Sequence, residues 1–271
     1  MPANTPTISA VWHAVPANIQ ALLAHSIHAG VEAYRKNTTA EGILNAPSPQ
    51  LYFRADDIAL PSASCKRMLR IFAEHDTPLA LAVVPAWITH DHMKALLHSV
   101  PEKDHLWCWH QHGWAHCNNA ASGKKCEFGN DRTLATCSGE LIQGYERMQE
   151  VFGTAFYPLF TPPWNRISDG NIQILKDIGF RAISRYATAP YQTILQDIPI
   201  HVDLHTRKEL SAAKGWQHML QELTAGIASG SCGIMLHHER MNTAAENVLR
   251  QLLITLKSYP VQTVPINSYV V

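Results

Sequence analysis

Six side chains stand out by type and spacing: Asp56, Asp57, His112, His116, His237 and His238. Three residues separate His112 from His116, so at a strand-to-helix junction both imidazoles can lie on one face, one turn apart. Such a pair offers two nitrogen ligands to one divalent metal. In a chain with 16 histidines a pair alone says little. The adjacent carboxylates Asp56 and Asp57 strengthen it, because they can supply an oxygen ligand and a base. Consecutive strand residues point in different directions, so one carboxylate can bind metal while the other faces a substrate. The set Asp57, His112 and His116 leaves coordination positions open for water and substrate, as a catalytic rather than a structural site requires. Zinc or a similar divalent ion fits these donors. The competing readings are that Asp56 or Asp57 caps a helix starting near Ser62, and that the histidines are core-edge residues satisfied by hydrogen bonds.

Other candidate groups also follow apolar runs. Pro162-Pro163-Trp164-Asn165-Arg166 is stiff, since each proline fixes φ, and such a loop can aim a backbone N–H or an indole at a substrate. A plain turn is the competing reading. Arg166 can pair with Asp56 and keep it ionised, or be a surface cation. Of His237 and His238, only one should face the site if its strand stays regular. That one is a candidate general acid. Asp203 can orient it, as a carboxylate orients a histidine in other acid–base pairs. Arg54, Trp114, Pro163 and Trp164 are the candidate substrate contacts. Gly226 to Gly233 lacks a phosphate-loop pattern, and Ser231-Cys232-Gly233 lacks a nucleophile-elbow context. Trp12, Trp87 and Trp216 read as packing residues.

The elements that must position these groups alternate. Helical spacing of Ile19, Leu22, Leu23, Ile27 and Val31 predicts a helix within an N-terminal extension, residues 1–45. Short apolar runs then predict strands at Leu51–Ala55, Pro78–Val84, His105–Trp109, Phe156–Phe160, Phe180–Ser184, Ile200–Leu204, Gly233–Leu236 and Val261–Val264. Between them lie predicted helices at 62–75, 90–99, 139–152, 169–178, 213–228 and 243–258, with Gly179 as a C′ cap. This alternation predicts an α/β chain with a mainly parallel sheet, a distorted (β/α) barrel of seven or eight units over residues 46–271. Asp56-Asp57, His112, Pro162-Pro163-Trp164, Asp203 and His237-His238 all follow predicted strand ends. In a barrel those ends converge on one face, where active sites are built.

Composition sets outer bounds. The chain has 271 residues, 46% of them hydrophobic, which suffices for a large core. Acidic and basic residues number 22 each, so no nucleic-acid partner is implied. No apolar run reaches the ~18 residues of a membrane span, and the N-terminus shows no signal-peptide pattern. A cytoplasmic protein is expected, with its six cysteines as reduced thiols.

Taken together, these motifs resemble the polysaccharide deacetylases of carbohydrate esterase family four, the NodB-homology domain, and most closely an uncharacterised bacterial branch. The resemblance covers roughly residues 50–240. It is carried by Phe53-Arg54-Ala55-Asp56-Asp57, Gln111-His112-Gly113-Trp114-Ala115-His116, Gly123-Lys124-Lys125-Cys126-Glu127-Phe128-Gly129, Phe160-Thr161-Pro162-Pro163-Trp164-Asn165-Arg166 and Leu236-His237-His238. It implies that Asp56 is the catalytic base, that Asp57, His112 and His116 hold the metal, and that His237 is the general acid with His238 as the fallback.

The resulting expectation is a metal-dependent hydrolase that removes an N-acetyl or related acyl group, from a carbohydrate or another small amide. A backbone N–H near Trp164 would help to stabilise the oxyanion. One rival is an amidohydrolase-type barrel using His110 and His112, which point the same way on a strand. The other is a non-catalytic, metal-retaining carbohydrate-binding domain.

Overall fold

The computed structural model describes residues 7–43, 45–100, 102–189 and 194–270. Among the described residues there are nine strands: β1 (Gln50–Ile58), β2 (Leu79–Val83), β3 (Trp107–His112), β4 (Phe156–Thr161), β5 (Ala182–Tyr186), β6 (Gln196–Ile200), β7 (Val202–Asp203), β8 (Ser231–His237) and β9 (Gln262–Thr263), most of them formed by the apolar runs. Every pairing between them is parallel. The strand order is β6-β5-β4-β3-β2-β1-β8-β7, with β9 against β1. β6 and β7, at the two ends of this order, are consecutive in the chain and separated by His201, whose backbone N–H donates to the Gly233 carbonyl of β8. The sheet is therefore curled into a nearly closed barrel. The predicted strand at 200–204 corresponds to this segment. It begins earlier and is interrupted, because the chain changes partner from β5 to β8 at His201.

Among the described residues seven α-helices accompany the strands: α1 (Ile19–Ala40), α2 (Ala63–Glu74), α3 (His90–Leu97), α4 (Leu134–Phe152), α5 (Asp169–Ile178), α6 (Ala212–Ala228) and α7 (Thr243–Leu256). Side-chain caps open five of them: Ser62, Thr89, Thr133, Ser211 and Asn242 each accept a hydrogen bond from the backbone N–H three residues on. The cap of α2 is thus Ser62, which leaves Asp56 and Asp57 free of that role. Thr133 starts α4 five residues earlier than expected, at Leu134. Gly179 closes α5 with φ 111°, a left-handed cap as predicted. No helix among the described residues is long and apolar enough to cross a membrane. All six cysteines are free thiols.

The N-terminal helix shares the barrel's core. Ile19, Leu23, Ile27 and Val31 of α1 are buried together with Leu223 and Ile227 of α6 and Leu252 and Leu256 of α7. The preceding segment is pinned as well: Trp12 Nε1 donates to the Leu204 carbonyl at 3.0 Å, and the Trp12 and Trp216 rings meet edge-on. α1 lies so close to α6 that a Cβ at Gly30 would sit 2.8 Å from Ile227 Cβ and 2.9 Å from the Thr224 carbonyl oxygen. Gly30→Leu is therefore expected to lower unfolding stability by about 1–3 kcal/mol. Gly139→Ala, at an exposed α4 position with nothing near its Cβ, should raise it by about 0.5–1 kcal/mol. Denaturant unfolding of the two variants checks both signs, and a neutral Gly30→Leu would mean that α1 does not dock as described.

Candidate active site

The parallel strands bring their C-terminal ends to one mouth, where a cleft of about 600 Å³ is lined by Asp56, Asp57, His112, His116, Trp164 and His237, among others. Asp56 of β1 is in register with His237 of β8, so the two face each other across neighbouring strands. Strand alternation alone would send Asp57 to the opposite side. It does not, because β1 slips against β2 between Ala55 and Ile58, and Asp57 adopts φ 62° at the slip. A positive φ at a non-glycine residue is uncommon, and here it turns the second carboxylate back into the cleft.

His112 and His116 are brought together by a different route from the one expected. No helix follows β3. Instead Gly113 (φ 61°) and His116 (φ 55°) bend the chain back. Glu127, fully buried, holds this bend by accepting hydrogen bonds from the backbone N–H groups of Trp114 (3.2 Å), Ala115 (2.8 Å) and Cys117 (3.4 Å). A Cβ at Gly113 would collide with Glu127 Oε2 and the Pro163 ring, so only glycine fits. On the outer side, Trp87 Nε1 donates to the Ala115 carbonyl at 3.1 Å, and the His116 ring meets those of Trp87 and Trp164 at centroid distances of 5.7 and 4.4 Å.

The three candidate ligands converge. Asp57 Oδ1 lies 3.3 Å from His112 Nε2 and 3.2 Å from His116 Nε2. One ligand atom from each residue lies within 4.8 Å of the others, the only such group of three among the described residues. Asp57 Oδ1 is buried and accepts no well-formed hydrogen bond, an orphaned acceptor that a cation would satisfy. His112 Nδ1 sits 2.9 Å from the Thr161 carbonyl, which leaves Nε2 toward Asp57. Burial acts to raise the Asp57 pKa, but the His112 contact and the fields of His237 and His116 outweigh it and hold the carboxyl well below its ordinary range. Burial also pushes His116 down to about 4, against the pull of Asp57. The donor set suits a divalent ion such as zinc.

Asp56 is held by Arg54 rather than by Arg166. The Arg54 guanidinium, with no exposed surface, grips both carboxylate oxygens at 2.8 and 2.9 Å. Burial acts to raise the Asp56 pKa, and the charges of Arg54, His112 and His237 more than reverse it. Arg166 instead donates to the Lys125 carbonyl, 2.9 Å away at the rim. Arg54, expected to touch substrate, lies beneath the site as the partner of Asp56.

Asp203, Trp114 and Pro163 do not take the roles expected of them, whereas the histidine pair behaves as strand alternation predicts. Asp203 does not orient His237. Its carboxylate accepts from the backbone N–H groups of His205 (3.0 Å) and Thr206 (2.8 Å), the Thr206 hydroxyl and the Tyr186 hydroxyl, so it braces its own turn. His237 is positioned through its backbone, whose N–H donates to His205 Nδ1 at 3.0 Å. His238 is buried and turned away, with Nε2 3.1 Å from Glu239, as alternation requires of one histidine of the pair. Trp114 packs against the core outside the cleft lining, and Pro163 is buried against the Gly113 bend, whereas Trp164 does line the cleft. His110 stays outside the ligand group. It is fully buried with Nε2 2.9 Å from the Thr161 hydroxyl, and it is not part of the one ligand group found among the described residues.

Sequence reasoning missed Glu127, His205 and the second role of Trp87. Glu127 lies inside a motif quoted above, but a buried acid in a loop carries no local signal of the amides it will bind.

With this geometry in hand, the chain shows the fold of the NodB-type polysaccharide deacetylases of carbohydrate esterase family four. A Mycobacterium smegmatis structure assigned as a polysaccharide deacetylase superposes with a TM-score of 0.57 at 14% identity, covering 83% of this chain and 91% of that one. The Bc1960 peptidoglycan N-acetylglucosamine deacetylase, in complex with a naphthalenyl N-oxidanyl-benzamide, gives 0.51 at 12% identity, covering 82% and 87%. The Xyl-CE4 domain of a multidomain xylanase from the hindgut metagenome of Trinervitermes trinervoides gives 0.50 at 12% identity, covering 83% and 89%. No protein-family model matches the sequence, and no curated protein matches it.

If Glu127 holds the His116 bend, Glu127→Ala should weaken Zn²⁺ binding by about 10–100-fold, as loss of an outer-shell support does elsewhere. Competition titration with a chromophoric chelator measures this, and wild-type affinity would show that the bend holds without it.

Proposed function

We propose that the protein is a metal-dependent hydrolase that removes an N-acetyl or related acyl group, with an acetylated carbohydrate or another small amide as substrate. The observation that carries this reading is the convergence of Asp57, His112 and His116 beside an Asp56–His237 pair in one cleft. The fold shared with deacetylases supports it.

A divalent ion, zinc in this reading, supplies Lewis acidity to the amide carbonyl and acidifies water when bound by those three residues. Asp56, kept ionised by Arg54, accepts the proton of the attacking water. His237, whose Nε2 is 3.9 Å from Asp57 Oδ2 at the cleft wall, donates a proton to the leaving amine. The Trp164 indole offers a flat apolar surface to a sugar ring, and its backbone N–H is our candidate donor to the oxyanion. Arg166 and Asp203 take no proton-transfer role in this scheme.

The test uses zinc-loaded protein and a panel of N-acetylated sugars. Asp56→Asn should retain zinc and lose about 10²–10⁴-fold in kcat, the usual worth of a general base. His112→Ala should lose zinc and activity together. Wild-type rates in both variants would overturn the mechanism.

A further inference from the structure

We infer that the cleft is built for an N-acylated substrate that also carries an anionic group, a phosphate or a carboxylate, held by Lys125, Arg166, Lys208 and Arg240. The acyl chemistry rests on the hydrolase reading above; the charge of the substrate is the addition.

Basic and acidic residues balance over the whole chain, so cations gathered at one mouth do not reflect a basic protein. Five line the cleft: these four and Arg207. Arg207 is neutralised by Glu222 at 2.7 Å and by Glu209. The other four have no carboxylate partner among the described residues, and Arg166, Arg240 and Lys125 make contacts of another kind. Arg166 Nη1 donates to the Lys125 carbonyl at 2.9 Å, and Arg240 Nη1 to the Thr7 carbonyl at 2.7 Å. A neutral carbonyl fixes each guanidinium without cancelling its charge, and leaves N–H groups of the fork for an anion. Lys125 lies over the Trp164 ring, 5.8 Å from its centroid.

The acids of the cleft cannot supply the missing counter-charge. Asp56 is spent on Arg54, and Asp57 faces three imidazoles. Lys125 and Arg166 follow β3 and β4, while Lys208 and Arg240 follow β7 and β8, so the cations flank the candidate metal ligands from two sides of the mouth. Like charges left unpaired around a cleft repel one another, and a complementary ligand relieves that repulsion. A neutral glycan would not. It is gripped by aromatic faces and hydroxyl-accepting carboxylates, and this cleft offers one indole, one phenol and no uncommitted carboxylate among its described lining residues.

The experiment compares N-acetylglucosamine 6-phosphate and N-acetylmuramic acid with N-acetylglucosamine and its β-1,4 dimer, using zinc-loaded protein. At low salt, kcat/KM for one anionic sugar should exceed that for the neutral sugars by about tenfold or more, and the preference should shrink as salt rises. The phosphate and carboxylate arms identify which anion is taken. In the Arg166→Gln/Lys208→Gln protein the preference should collapse through KM. Equal kcat/KM for neutral and anionic sugars would overturn the inference and leave the hydrolase reading standing. So would a preference that survives both salt and the double variant, since the anion would then be bound by the metal centre and not by the rim. If no sugar is hydrolysed, the hydrolase reading fails separately, and calorimetry with glucosamine 6-phosphate and glucosamine decides the cleft. Tighter, salt-sensitive phosphate binding that is lost in the double variant supports the inference; equal binding overturns it.

Discussion

The site depends on one buried ion pair. Arg54 has no contact with solvent, and all five of its N–H groups have acceptors: Asp56 twice, the Ser184 carbonyl and hydroxyl, and Asn165 Oδ1. A buried charge is tolerated only when it is paired and hydrogen-bonded. The guanidinium therefore dictates where its partners stand. It fixes the Asp56 carboxylate at the end of β1, reaches across the barrel to β5, and holds the turn after β4 through Asn165. That turn carries Trp164 and Asn165 at φ 54° and 58°, so the pair also sets the cleft wall that His116 touches.

A second chain of contacts runs to the opposite wall. Ser9 donates to the His205 carbonyl, the Trp12 ring lies 5.4 Å from the His205 ring, and His205 Nδ1 accepts from the backbone N–H of His237. The segment before α1 thus reaches the backbone of the proposed acid. The N-terminal region is in this sense part of the site's support, and it also lends Thr7 and Ser9 to the cleft lining.

Much of this was legible in the residues, for identifiable reasons. Strands buried on both faces of a parallel barrel read as continuous apolar runs, so β1 to β5 and β8 were visible. The candidate chemical groups concentrate just after those runs, at the strand ends that form the cleft. What escaped notice depends on non-local partners or on unusual backbone. The positive φ of Asp57 and His116 has no glycine to announce it. Arg166 is a credible partner for Asp56 until the fold shows it bonded to Lys125 at the rim and Arg54, two residues from Asp56, pointing inward. Asp203 looks like an orienting carboxylate because it follows a strand, yet the backbone N–H groups two and three residues on claim it first. Glu127 became important only once three amides of a distant bend were folded around it.

The central claim is that Asp57, His112 and His116 together hold one divalent ion. A crystal structure of the zinc-loaded protein, with the ion located by anomalous scattering, tests this most directly. The account predicts a single strong peak about 2.0–2.2 Å from Asp57 Oδ1 and from the Nε2 atoms of His112 and His116, with His110 still bonded to Thr161. An ion coordinated by His110, or one that leaves out Asp57, would contradict it.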